Sequence, residues 1–218
     1  MRLPLVVLST VVLVAACTGN PPAQTPILPW SPAEISAAPS SDASAAPTSS
    51  SSPIACRPNL PTDDPSTWVE LAPAGAGFTI KLPAQAAENK VKVATPAGEV
   101  PMSVWVYPDG CSRTLMVGRL SFAAGALAKA GSAKQILDQA VAAELQSQKG
   151  ASVTSQSDVT VGGQPGRRFA ISGGGLATDG LTVLAGDDIY MALASTDASH
   201  PLPAASLDAF FASFTLTA

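Results

Sequence analysis

From Trp68 onward the chain alternates apolar and polar residues in short runs. Phe78-Thr79-Ile80-Lys81-Leu82 is apolar at every second position and stops at Pro83, the pattern of a half-buried strand. Val91-Lys92-Val93 repeats it. In Met102–Tyr107, Met102, Val104 and Val106 fall on one face while Trp105 and Tyr107 fall on the other, so both faces of this strand are expected to be covered. Pro108-Asp109-Gly110 then makes a turn, and Arg113 to Phe122 is the next strand. The period changes at Ser132-Ala133-Lys134-Gln135, a capping box in which the Ser hydroxyl and the Gln side chain satisfy each other's backbone donors. Ile136, Leu137, Ala140, Val141, Glu144 and Leu145 continue at helical spacing, and Gly150 supplies the stop. Strand-like runs return over Val153–Val161, Arg168–Ile171, Leu181–Leu184 and Ile189–Leu193, punctuated by Gly162-Gly163, Gly173-Gly174-Gly175 and Gly186-Asp187-Asp188. Ala204 to Ser213 places Leu207, Phe210 and Phe211 along a helix face, and Phe214 opens a short terminal strand. Hairpins, a helix, hairpins and a helix make an α+β domain on an antiparallel sheet flanked by helices.

The pattern before that region is of another kind. Leu5 to Val14 is an apolar run broken only by Ser9 and Thr10, preceded by Arg2 and closed by Val14-Ala15-Ala16-Cys17. Such a run is too short for a bilayer span, which needs roughly 20 apolar residues, and reads as a signal peptide. A cysteine directly after the small residues resembles the bacterial lipoprotein signal, which implies that Cys17 is acylated and becomes the new N-terminus. Two or more acyl chains anchor a protein stably where one is marginal. Thr18 to about Ile54 is rich in Ser, Ala and Pro, with Trp30 as its one aromatic, and cannot offset its ordering entropy by burial. A tether of roughly 38 residues reaches roughly 35 Å as a coil and about 120 Å in a polyproline-like extension. The expected organisation is therefore a signal peptide over 1–16, a lipidated Cys17 with a disordered tether over 17–55, and one globular domain over 56–218.

Composition adds constraints. Of 218 residues 46% are hydrophobic and only 13% charged; without Arg2, 11 basic side chains face 16 acidic ones, a balance of about −5. Arg167-Arg168 is the one adjacent basic pair, read as solvated or sheet-edge arginines, and neither nucleic acid nor anionic headgroups are expected as partners. With Cys17 spent on lipid, Cys56 and Cys111 remain as an even pair in an oxidising setting and are expected to form a disulfide.

Trp68, then Gly77–Pro83, Val161-Gly162-Gly163-Gln164-Pro165-Gly166-Arg167-Arg168-Phe169, Asp188-Ile189-Tyr190 and Phe210–Phe214 stand in an order that resembles PsbP-like domains, over roughly 66–217. The resemblance implies an α/β/α sandwich, an antiparallel sheet between helices. It also implies an accessory or binding role: PsbP assists the photosynthetic oxygen-evolving complex, and other members are bacterial lipoproteins without a known reaction. No catalytic residue carries over, and neither the cysteine pair nor the tether is implied by it.

Chemistry-bearing residues are sparse. His200 is the sole histidine and precedes Pro201 in a loop, so a nucleophilic triad would depend on it alone. Asp63-Asp64 and Asp187-Asp188 read as turn formers rather than calcium ligands, and Gly173-Gly174-Gly175 lacks the following helix that a phosphate loop uses. Trp105 and Tyr107 could line a groove for a small apolar ligand. No enzyme activity, cofactor or metal is expected; the expected partners are the membrane, through the lipid on Cys17, and an unidentified envelope protein, with the domain itself monomeric and outside the cytoplasm.

Overall fold

The structure, a computed structural model, describes residues 60–95, 98–109 and 111–217. The expected signal peptide, Cys17, the tether and Cys56 lie outside the described residues. Two single 3-10 turns, Pro61–Asp63 and Pro65–Thr67, precede the first strand. The strands are β1 (Val69–Leu71), β2 (Phe78–Leu82), β3 (Glu88–Thr95), β4 (Gly98–Pro108), β5 (Arg113–Ser121), β6 (Ser152–Val161), β7 (Gln164–Gly173), β8 (Leu176–Ala185), β9 (Asp188–Asp197) and β10 (Thr215–Leu216). The helices are α1 (Ala126–Ala130), α2 (Ala133–Ser147) and α3 (Ala204–Ala212).

Seven strands form one antiparallel sheet in the order β3-β4-β5-β9-β8-β7-β6. Alternation along each strand divides the core in two. Met102, Val104, Leu120, Phe169, Ile171, Met191 and Leu193 meet Leu127 of α1 and Ile136 and Val141 of α2 on one face. Trp105, Leu115, Val117, Leu181, Val183 and Tyr190 meet Phe210 of α3 and Phe78, Ile80 and Leu82 of β2 on the other. An antiparallel sheet flanked by helices, as the pattern predicts, is what forms. The capping box also forms, Ser132 accepting from the Gln135 N–H while the Gln135 side chain accepts from that of Ser132.

One feature of the second face differs from expectation. The Phe78–Leu82 run does not join the main sheet; it is the middle strand of a separate three-stranded sheet, β1-β2-β10, laid over it. Alternation reports that one face of a strand is buried but not which sheet carries it. Phe78 anchors the layer, edge-on to Trp105 at 5.2 Å and stacked on Phe214 at 5.9 Å.

The glycine pairs act as predicted. Gly162 and Gly163 have φ of +56° and +79°, the two positive values that a tight two-residue hairpin turn requires. Val161 therefore faces Gln164 directly across the turn.

Candidate functional site

At the entry to the domain, the buried Asp109 carboxylate accepts from the Thr62 hydroxyl through Oδ2 and from the Cys111 N–H through Oδ1, both at 2.8 Å. Arg113, at the start of β5, donates from Nη1 to Asp63 at 2.7 Å, from Nε to the His200 carbonyl at 2.9 Å and from Nη2 to the Pro201 carbonyl at 3.0 Å. One guanidinium thus ties the entering chain, the sheet and the loop before α3 together, using the planar fork that lysine lacks. Trp68 closes the same corner by donating from its indole to the Pro61 carbonyl at 2.9 Å. Asp63 and Asp64 are turn residues here, capping the two 3-10 turns. His200 is exposed, its Nδ1 2.9 Å from the Ser199 hydroxyl.

The Cys111 side chain is buried in this corner and forms no disulfide with a described residue; its expected partner Cys56 lies outside them. The described chain starts at Leu60, three residues before the Asp63–Arg113 pair.

Trp105 does not line an open groove. Its indole is 4% exposed and occupied by the edge of Phe78, so the β2 layer fills the space a ligand would need. Tyr107 is half-buried beside Asp109; burial first, then the Asp109 charge, holds its phenol above the usual value. A shallow, half-open space of about 380 Å³ lies elsewhere, lined by Glu99, Val100 and Pro101 of β4, Ser121, and Phe122, Ala123 and Ala126 around the start of α1. Glu99 is held there by Lys92 at 3.3 Å.

The Arg167-Arg168 pair corrects the sequence reading. Arg167 is 4% exposed, bonds Asp138 of α2 through Nη1 and has Nε 2.7 Å from Asp158 of β6. Arg168 turns to the opposite face, where its guanidinium lies 3.1 Å from the centre of the Phe211 ring of α3. Neither is a solvated edge residue. Arg119 is used likewise, donating to Asp188 at 2.8 Å and to the Gly75 carbonyl at 2.6 Å. Asp187 accepts from the Gly125 N–H at 2.9 Å, so the Asp187-Asp188 turn braces β5 and α1.

A buried polar cluster under α2 escaped the sequence reading. Glu144 is 5% exposed, its Oε1 accepting from Gln148 at 3.3 Å; Gln148 donates in turn to Thr178 of β8 at 2.7 Å, and Thr178 is 3.0 Å from Ser195 of β9. Glu144 Oε2 and Gln148 Oε1 have no partner among the described residues. Burial pushes the Glu144 carboxyl up, against smaller opposing effects from Gln148 and Ser147. A glutamate at a helical spacing otherwise apolar was the only available signal.

Among the described residues no group of three His, Cys, Asp or Glu side chains could hold a metal ion. No described helix is long and apolar enough to cross a membrane.

No family model matches the chain, and no curated protein matches it. Among solved structures it is similar to the solution structure of cyanobacterial PsbP from Synechocystis sp. PCC 6803, at 16% identity and a TM-score of 0.49, over 69% of this chain and 92% of that one. That protein bears the name of the family that the order of motifs resembles. The chain is also similar to the protein of unknown function PA94 from Pseudomonas aeruginosa, at 13% identity and a TM-score of 0.33, over 61% of this chain and 84% of that one. A third likeness is to the immunity protein TplEi of the same organism, solved with a peptide, at 15% identity and a TM-score of 0.33, over 64% of this chain and 58% of that one.

Proposed function

We propose that this chain is a lipid-anchored envelope protein whose domain is a non-enzymatic interaction or accessory module, held off a membrane by the 17–55 tether through Cys17. The observation that supports it is the clamp at the domain entry. A body held through its N-terminal side needs its point of attachment fixed, and Asp109 and Arg113 fix residues 62 and 63 to the sheet. A Cys56–Cys111 disulfide would add a covalent lock at the same corner. Cys56 stands four residues before Leu60, a span of at most about 14 Å, and Cys111 shares Asp109 with Thr62. The acidic balance of the chain favours a protein partner over nucleic acid.

Chemical cross-linking in intact envelopes, followed by purification of the full chain, tests this reading. A reproducible envelope partner, lost when Cys17→Ala releases the chain from the membrane, is expected. Recovery of the wild-type chain without any reproducible partner overturns it.

A second reading, a carrier of a small apolar ligand, is supported by the cleft beside Phe122 rather than by Trp105. The apolar side chains of Val100 and Phe122 are what such a ligand would touch there. Native mass spectrometry of the chain purified from its own envelope should then show added mass, which Ala123→Phe removes by filling the cleft. Bare mass for the wild type ends this reading.

A further inference from the structure

The two edges of the seven-stranded sheet are built differently. β3 is an ordinary guarded edge, with Glu88, Lys90 and Lys92 along it. Such charges discourage another strand from pairing. β6, at the other edge, reads Ser-Val-Thr-Ser-Gln-Ser-Asp-Val-Thr-Val over ten residues. It has no Lys, no Pro and one charge, Asp158, which Arg167 already balances. Ser152–Asp158 is exposed throughout, and Val153 is 37% exposed.

The hairpin turn settles which backbone groups β6 leaves open. Val161 and Gln164 flank the two-residue turn and form a hydrogen-bonded pair, so Val159, Ser157 and Ser155 also direct their N–H and C=O groups toward β7. Gln156, Asp158 and Thr160 direct theirs outward, where no described strand lies. The placement of Pro165 opposite Thr160 agrees, since that pair makes no ladder bond and Pro has none to give. A register shift between Val153 and Ser155 leaves Ser155–Val161 as the regular part of the edge.

We infer that this edge pairs with β6 of a second copy of the chain, antiparallel about a two-fold axis at Ser157, making a continuous sheet through two domains. The inference rests on the reading of the domain as an interaction module and names one partner, in place of the monomer expected from the sequence. Pairing about Ser157 sets outward-facing Gln156 against outward-facing Asp158 of the other copy, twice, so each carboxylate meets an amide donor. Ser155 then meets Val159, which completes the regular stretch on both copies. Moving the axis to Asp158 would place two carboxylates face to face, which is unfavourable in a cross-strand pair and selects against that register. The match is of self-complementary type, as a two-fold contact requires.

The test is a cysteine placed on the axis of the full chain, anchored in its membrane. In Ser157→Cys the two side chains face each other as a non-hydrogen-bonded pair, at a separation a disulfide can close. Under mild oxidation a covalent dimer is expected, absent from the wild type and from Val91→Cys on the β3 edge. Adding Gln156→Pro, which removes one outward N–H and the 3.4 Å side-chain contact to Asp138 but no ladder bond to β7, should abolish the dimer while the chain still melts in one cooperative transition. Absence of dimer from a folded Ser157→Cys chain overturns the inference. A cross-link to a different protein overturns it as well, while leaving the interaction-module reading intact; loss of every envelope partner in the cross-linking experiment would instead remove that broader reading.

Discussion

Arg167 and Arg168, adjacent on β7, leave the sheet by opposite faces and each holds a helix. Arg167 reaches Asp138 of α2, and Arg168 covers the Phe211 ring of α3. Two neighbouring residues therefore connect the three layers of the domain. Arg167 is the more consequential, because its charge is buried and answered by acids on two elements. Arg167→Met keeps the volume of the stem and removes the charge. The two acids left behind reach solvent, so the cost is expected at about 1–3 kcal/mol, below that of stranding a buried charge. Urea unfolding of the two proteins reads the difference directly.

Helix α2 carries two acids of opposite pH behaviour. Hydrogen bonds from Lys134 first and Arg167 next hold Asp138 below its ordinary value. Its contribution is present above the unfolded-chain value and fades as pH falls through the folded one. Burial holds Glu144 above its ordinary value, so its contribution is complete below the unfolded-chain value of about 4.3 and is lost as pH rises through the folded one. Glu144→Gln retains an acceptor and removes the charge. It is expected to stabilise the protein at pH 7 by about 1 kcal/mol and to flatten the decline in urea midpoint between acid and neutral pH. An unchanged decline would show that another group titrates.

Gly180 lies beneath the ring of Phe169, its neighbour across β7 and β8. A Cβ there would stand 2.1 Å from the ring, which is fully buried, so the ring would have to shift within the core. Gly180→Ala is expected to cost about 1–3 kcal/mol by overpacking. Phe169→Leu should recover part of that loss, a coupling that a double-mutant cycle measures.

The hairpins were legible because their signals are local: paired glycines at positive φ after Val161 and Gly173, and a capping box at Ser132. The lack of an open groove at Trp105, the burial of Arg167 and the second sheet around β2 were not, because each depends on which distant element covers a strand face. Alternation marks Trp105 as one side of a strand; only the fold puts Phe78 on it. The same limit hid Glu144, whose burial comes from strands more than thirty residues later. The exposed edge of β6 was likewise invisible until the strand order showed that it had one neighbour.

The corner around Cys111 yields a further prediction. If the chain is exported as proposed, Cys56 and Cys111 should resist alkylation until a reductant is added. Closing a loop of about 56 residues is worth about 4 kcal/mol, so reduction or Cys56→Ser should lower the unfolding midpoint strongly. A Cys111 thiol that reacts with maleimide in the unreduced, denatured protein would show that the pair does not form.

The anchor is the premise on which the proposed role depends, and the mass of the mature N-terminal peptide tests it most directly. Protein extracted from membranes with detergent should yield a peptide beginning at Cys17 with a diacylglycerol added to the sulfur, and the Cys17→Ala chain should yield none. A mature chain that begins elsewhere, or a bare Cys17 on protein recovered from the medium, would contradict the account.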